Sequence, residues 1–204
     1  PADAADHLEN LELVEQTQII MELPLDDAAE AVSEMDEHAR VALLNELNPD
    51  IAADILEEMS PDDAVDVLDE LSDELQARLL KRVEAEEAAE IKHLMRYDPD
   101  TAGGVMNTEV VILRQDLTAD EAITRIRGEI EDKEIPYYGY LVDDKGILIG
   151  VVSLRELLMS RPGRLLKNMV RHQTLISVVH DVDKEEVATL LGRAGYRSAC
   201  VGKW

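Results

Sequence analysis

Carboxylates carry most of the chemistry this sequence could do. It holds 45 Asp and Glu against 20 Lys and Arg, a formal charge of −25 over 204 residues. Carboxylate oxygens are ligands for hard divalent cations. The run beginning at Asp98 comes nearest to a known cation loop. Asp98, Asp100, Gly103 and Glu109 stand at positions 1, 3, 6 and 12 of a calcium-binding loop, but position 5 is Ala102 and a strand pattern follows. A calcium loop is therefore not expected. The five histidines (His7, His38, His93, His172, His180) are scattered, with no His-Glu-x-x-His and no Cys/His cluster, so zinc is not expected either. No Gly-x-Ser-x-Gly elbow and no phosphate-binding Walker loop is present. Cys200, the single cysteine, reads as a small buried residue in a reducing compartment. The sequence gives no catalytic residue and no reason to expect an enzyme. The acid excess also excludes nucleic acid as a partner, because affinity for phosphate comes from Lys and Arg.

The acids are unevenly placed. Residues 1–100 hold 30 acids and 6 bases, and residues 101–204 hold 15 acids and 14 bases. Such asymmetry points to two domains with different tasks. The acidic half is a repeat of period twelve. One column reads Met35, Leu47, Met59, Leu71, Val83, Met95; a second reads Leu43, Ile55, Val67, Leu79, Ile91; a third reads Ala29, Val41, Ala53, Val65, Ala77, Ala89. Asn48-Pro49, Ser60-Pro61 and Ser72-Asp73 supply start signals, a capping residue before a proline or an acid. Each unit is read as a helix of about two turns plus a tight connection, stable only by stacking on its neighbours. A longer helix is expected over residues 4–21. The acids Glu57, Glu58, Asp62, Asp63, Asp66, Asp69 and Glu70 fall largely off the apolar stripe. Their plainest role is a solvated face.

After Met95 the period changes. Residues 98–104, Asp-Pro-Asp-Thr-Ala-Gly-Gly, read as a linker. A strand is expected over residues 110–113, and then a helix over residues 116–128 with Thr118 and Glu121 as a capping box. A hairpin follows, pairing residues 138–142 with 147–153 across a turn at Gly146. Another helix is expected over residues 154–159. The pattern restarts, with Asp116, Glu121, Ala122 and Ile126 matching Asp181, Glu186, Val187 and Leu191. Strands are expected over residues 175–179 and 198–201, with a helix over residues 183–193. The second copy is incomplete.

An acidic helical repeat followed by Tyr97-Asp98-Pro99-Asp100-Thr101-Ala102-Gly103-Gly104-Val105-Met106 resembles the junction of MgtE-family magnesium transporters. Val142-Asp143-Asp144-Lys145-Gly146, Gly150-Val151-Val152-Ser153-Leu154-Arg155-Glu156 and Val182-Asp183-Lys184-Glu185-Glu186-Val187-Ala188 are similar to the CBS domains of that family. The resemblance implies an all-α superhelical N domain over residues 1–96 and a junction over residues 97–107. It further implies an α+β CBS domain over residues 108–162 and an incomplete second one over residues 163–204. The implied function is a Mg²⁺-sensing regulatory region, dimeric through its CBS domains and acting on the membrane domain of the same transporter. It would lie in the cytoplasm, at the inner face of the cell membrane. As given, the chain is expected to be soluble.

Mg²⁺ is commonly held by one or two carboxylates and several retained waters. The expected ligands are Asp98 and Asp100 at the junction and Asp181, Asp183 and Glu185 at the last helix start, with Asp62, Asp63 and Asp66 from the repeat. The resemblance most directly implies Asp100, Asp183 and Glu185. The competing role of Asp183 and Glu185 is helix capping, and that of Asp98 and Asp100 is shaping an Asp-Pro turn. CBS domains of this kind also imply an adenine-nucleotide cleft for ATP or AMP. Tyr137 or Tyr138 would stack there, Arg155 would meet phosphate, and Glu156 would stand where an Asp usually binds ribose. A ligand-free protein-binding solenoid is the other alternative.

Overall fold

The computed structural model describes residues 2–129, 137–170 and 175–193. The chain divides into two compact units, residues 1–108 with 178–204, and residues 109–177. The first opens with α1 (Ala2–Glu9), α2 (Leu13–Glu22), α3 (Leu25–Glu34), α4 (Glu37–Glu46), α5 (Pro49–Glu58), α6 (Pro61–Asp69), α7 (Asp73–Leu79) and α8 (Ala85–Leu94). From α2 to α8 each helix starts twelve residues after the last. Most run ten residues, nearly three turns rather than the two expected.

The long helix expected over residues 4–21 is two helices. Asn10 donates to the Asp6 carbonyl at 2.6 Å and the Leu11 N–H to the Leu8 carbonyl at 2.9 Å, closing α1. Glu15 then accepts the Glu12 N–H at 3.2 Å, opening α2 with an all-glutamate capping box. The twelve-residue frame reaches back into this stretch, with Leu23 ending α2 as Met35 ends α3.

Alternate helices stack, α1 on α3, α3 on α5, α5 on α7, α2 on α4 and α6 on α8. The column Leu43, Ile55, Val67, Leu79 and Ile91 is wholly buried, and so are Met35, Leu47, Met59, Leu71 and Val83 between helices. The third column holds only in part. Ala29, Ala53 and Val65 are buried and Val41 half-buried, but Ala77 and Ala89 face solvent. A fourth column, Gln16, Ala28, Arg40, Ala52, Ala64, Gln76 and Ala88, mixes alanines with polar residues. The alanines are buried. Each polar member donates to a carbonyl at or just past the end of an earlier helix: Gln16 to Leu11 at 3.0 Å, Arg40 to Ser33 at 2.6 Å and Gln76 to Leu68 at 3.0 Å. Helix C-terminal carbonyls lack intrahelical partners, so this column closes what the short helices leave open. Arg40 also forks onto Glu70 at 2.8 and 2.6 Å, with side chains only 12% and 21% exposed. Glu9 and Glu57 accept the N–H groups of Asp36 and Glu84, each 27 residues on.

The second unit is a three-stranded sheet of β1 (Val111–Arg114), β2 (Tyr138–Val142) and β3 (Leu148–Ser153), with α9 (Ala119–Glu129) and α10 (Leu154–Met159). β1 pairs with β2 in parallel and β2 with β3 in antiparallel. Leu113, Ala122, Leu141, Val152, Leu157 and Leu166 form its core. Gly146, at φ 78°, turns the hairpin, and Asp143 accepts the Lys145 and Ile147 N–H groups at 2.8 and 2.9 Å. The expected capping box opens α9: Glu121 accepts the Thr118 N–H at 2.8 Å and the Thr118 hydroxyl accepts the Glu121 N–H at 3.4 Å.

The last helix, α11 (Lys184–Arg193), is where the sequence places it. The strand expected over residues 175–179 is absent, and residues 176–179 are exposed. A short apolar run becomes a strand only where an edge offers partners for its backbone, and no described strand pairs with it. Residues 198–201 and Cys200 lie outside the described residues. No helix among the described residues is long and apolar enough to cross a membrane.

Arg40→Ala leaves Glu70 without its partner and two backbone contacts, to the Val32 and Ser33 carbonyls, unmade. It is expected to cost about 2–4 kcal/mol in urea unfolding followed by circular dichroism, against about 0.5 kcal/mol or less for Ala77→Ser on the exposed face.

Candidate functional site

The residues read as a linker form a clasp. Asp98 Oδ1 accepts the Asp100 N–H at 2.9 Å, and the Asp98 carbonyl accepts the Thr101 N–H and hydroxyl at 3.0 and 2.7 Å. The chain then runs antiparallel to residues 180–184. Ala102 donates to the Val182 carbonyl and Gly103 to the His180 carbonyl, both at 2.7 Å, while Lys184 donates back to the Asp100 carbonyl at 2.9 Å. Thr101 stands opposite Asp183. The two glycines permit the close approach. A Cβ on Gly103 would lie 2.6 Å from the Tyr97 ring, and one on Gly104 only 2.3 Å from the Asp98 carbonyl oxygen. The Tyr97 ring lies near those of both His93 and His180, at centroid distances of 5.7 and 5.3 Å.

This pairing makes one edge from carboxylates remote in sequence. Asp98, Asp100, Asp181, Asp183 and Glu185, on or next to the paired segments, are all exposed. Several oxygens are already engaged. Asp98 shapes its own turn, Asp100 Oδ1 lies 2.6 Å from Lys184 Nζ, and Asp183 Oδ1 accepts the Glu185 N–H at 2.8 Å and the Glu186 N–H at 3.4 Å. The capping and turn-shaping roles are therefore real, and each leaves a second carboxylate oxygen without a hydrogen bond among the described residues. Among the described residues no three carboxylate, imidazole or thiol groups converge as a closed metal cage.

The repeat adds a second group. Asp62, Asp66 and Asp69 line a hollow together with Tyr97, Pro99, Gly104 and Met106. Its volume, about 10 Å³, has room for roughly one water, so a hydrated dication would meet these acids at the rim. Asp69 was not among the expected ligands. Its signal is spacing: Asp62, Asp66 and Asp69 are four and three residues apart, one face of α6. Asp63 stands apart from the hollow and accepts the Ser60 hydroxyl at 2.8 Å. Ser60 thus donates to an acid instead of accepting a backbone N–H as a cap. Partial burial pushes the Asp66 carboxyl above the ordinary aspartate value, and the charges of Asp63, Asp62, Asp69 and Glu70 push it further. Burial likewise raises Asp69.

In the sheet unit, Tyr137, Tyr138, Ser153, Arg155, Leu158 and Met159 line an open hollow of about 590 Å³. Three of the four nucleotide candidates thus share one wall. Glu156 does not line it. It accepts the Ser153 N–H and hydroxyl, both at 2.8 Å, and these bonds hold its carboxyl below the usual range. Its work is to cap α10.

The raised Asp66 has a consequence for stability. Only the folded chain penalises its ionised form. The penalty is absent below the ordinary value of 3.8 and is complete once the pH has risen past the raised value. Asp66→Asn is expected to melt above the parent at pH 7 in metal-free buffer, with the gap closing below about pH 4. A gap independent of pH would contradict this cause.

Residues 1–100 match the MgtE intracellular N domain and residues 102–163 a CBS domain. Three curated relatives are each named Magnesium transporter MgtE. The one from Thermus thermophilus is 39% identical over 56% of this chain and 25% of its own length, that from Enterococcus faecalis 36% over 51% and 23%, and that from Bacillus subtilis 31% over 56% and 25%. The matched part of this chain thus spans about a quarter of those relatives. The crystal structure of the soluble part of a magnesium transporter covers 96% of this chain and 86% of that one, with a TM-score of 0.70 and 29% identity. The cytosolic domain of the Mg²⁺ channel MgtE in complex with ATP covers 94% and 83%, with a TM-score of 0.67 and 29% identity. With both parts matched and the fold shared along nearly its whole length, the chain carries the MgtE intracellular N domain joined to CBS sequence.

Proposed function

We propose that this chain is a Mg²⁺-sensing regulatory region of a magnesium transporter. One observation carries the reading: the antiparallel clasp of residues 100–103 on residues 180–184 sets two carboxylate-bearing segments side by side, with Asp98, Asp100, Asp183 and Glu185 exposed on or next to them. Asp62, Asp66 and Asp69 border the junction from the repeat. Two carboxylates about 4 Å apart repel by roughly 4 kcal/mol at an effective dielectric near 20. A dication bound through retained waters removes that repulsion without needing a closed cage. The acidic surfaces of the N domain and the CBS sequence then close together, and the closed state is passed to the membrane part of the transporter. Such a shift requires only that the ion bind the closed state better than the open one. The chain would act as a homodimer through its CBS sequence, at the inner face of the membrane, with no chemical step of its own.

Small-angle scattering tests this. Raising MgCl₂ into the millimolar range is expected to compact the chain beyond NaCl of equal ionic strength. Joint replacement Asp100→Asn, Asp183→Asn and Glu185→Gln is expected to remove most of the difference. Identical curves for the two salts would reduce the effect to screening and reject the reading.

A second reading has its own support. The hollow lined by Tyr137, Tyr138 and Arg155 offers ring faces and a guanidinium to an adenine nucleotide. One structural relative is described in complex with ATP. Calorimetry with ATP and AMP is expected to show binding that Tyr137→Ala weakens by roughly tenfold. Absence of heat with either nucleotide would remove this reading.

A further inference from the structure

Lys184 stands against the charge preference of its own position. It is the first residue of α11, where the helix macrodipole favours anions, and Glu185 and Glu186 follow it. Carboxylates hold it there. Its Nζ lies 2.6 Å from Asp100 Oδ1, and its backbone N–H donates to the Asp100 carbonyl at 2.9 Å, so both ends of the residue meet the same aspartate. Asp183 precedes it in the chain, and the charge of Asp66 reaches it from α6. Lys184 therefore already places a single positive charge on the edge where the proposed function places a dication.

The pair is built to be displaced. Asp100 is 73% exposed and Lys184 36% exposed, and an exposed ion pair contributes only about 1 kcal/mol or less. An ammonium on a four-carbon stem swings to solvent easily. A dication brings twice the charge to the same oxygens. We infer that Lys184 is a built-in competitor of Mg²⁺: it holds Asp100 in the metal-free chain, a dication displaces it, and its presence sets the Mg²⁺ concentration at which this edge responds. The inference rests on the magnesium-sensing reading.

The test follows the amide resonances of residues 98–104 while MgCl₂ is titrated into the whole chain at constant ionic strength. Lys184→Met keeps the stem and drops the charge; Lys184→Gln keeps a hydrogen-bond donor and drops the charge. Both are expected to lower the Mg²⁺ midpoint by about three- to tenfold, while Lys184→Arg stays within about twofold of the parent. Slow exchange of the Ala102 and Gly103 amides shows that the clasp still forms, and either variant that keeps it decides the question. In the Asp100→Asn background, removing the lysine charge is expected to move the midpoint by less than about twofold, because the competition is for Asp100. A responsive parent with an unmoved or raised midpoint in the uncharged variants overturns this inference alone, as does an equal gain in both backgrounds. A parent that does not respond to Mg²⁺ removes the sensing reading, and this inference with it.

Discussion

A ten-residue helix is marginal in water, and the helical unit is made of helices that length or shorter while carrying most of the chain's acid excess. What holds it is stacking in register. Because each helix from α2 to α8 starts twelve residues after the last, the same positions turn inward each time, and Leu43, Ile55, Val67, Leu79 and Ile91 form one buried column. Burying such side chains contributes about 1.5–3 kcal/mol each before chain entropy is counted. The outward positions are left to carboxylates, whose mutual repulsion opposes the same compact state. The unit is therefore packed tightly inside and electrostatically loaded outside.

Some of that load is spent on the fold. Glu9 and Glu57 close helix starts 27 residues further along, Glu70 fastens Arg40, and Glu156 and Glu121 close capping boxes in the sheet unit. Asp98 and Asp183 each hold a local turn or helix start. A single carboxylate has enough lone pairs to do this and still offer an oxygen to a hydrated ion. Structural and sensing roles are thus compatible at the same residues. The clasp between the junction and the start of α11 connects them, since it brings Asp100 beside Asp183, 83 residues apart in the chain.

The repeat was legible because burial imposes a strict period, and a strict period survives in the residue types. The hairpin at Gly146 and the box at Thr118 and Glu121 were legible for a local reason, since turn and cap chemistry needs particular residues at fixed spacing. The break between α1 and α2 was missed because its box is made of two glutamates, which look like any exposed acids in an acidic helix. The strand expected over residues 175–179 failed because its apolar run predicts a strand only if an edge awaits it. The engagement of Asp100 by Lys184 and the place of Asp69 on the hollow were illegible for a different reason. Both depend on which distant segments meet, and hydrophobic period does not encode that for charged residues. The column holding Arg40 and Gln76 went unread because polar residues break its apolar pattern, and the structure gives them the task of closing helix ends.

On the proposed function, a hard dication, rather than ionic strength in general, relieves the charge this fold holds. Thermal unfolding of the metal-free chain in MgCl₂, set against NaCl at equal ionic strength and neutral pH, reads that difference most directly. The midpoint is expected several degrees higher in MgCl₂, rising with its concentration as a ligand of the folded state must. Superimposable melting curves in the two salts would contradict it.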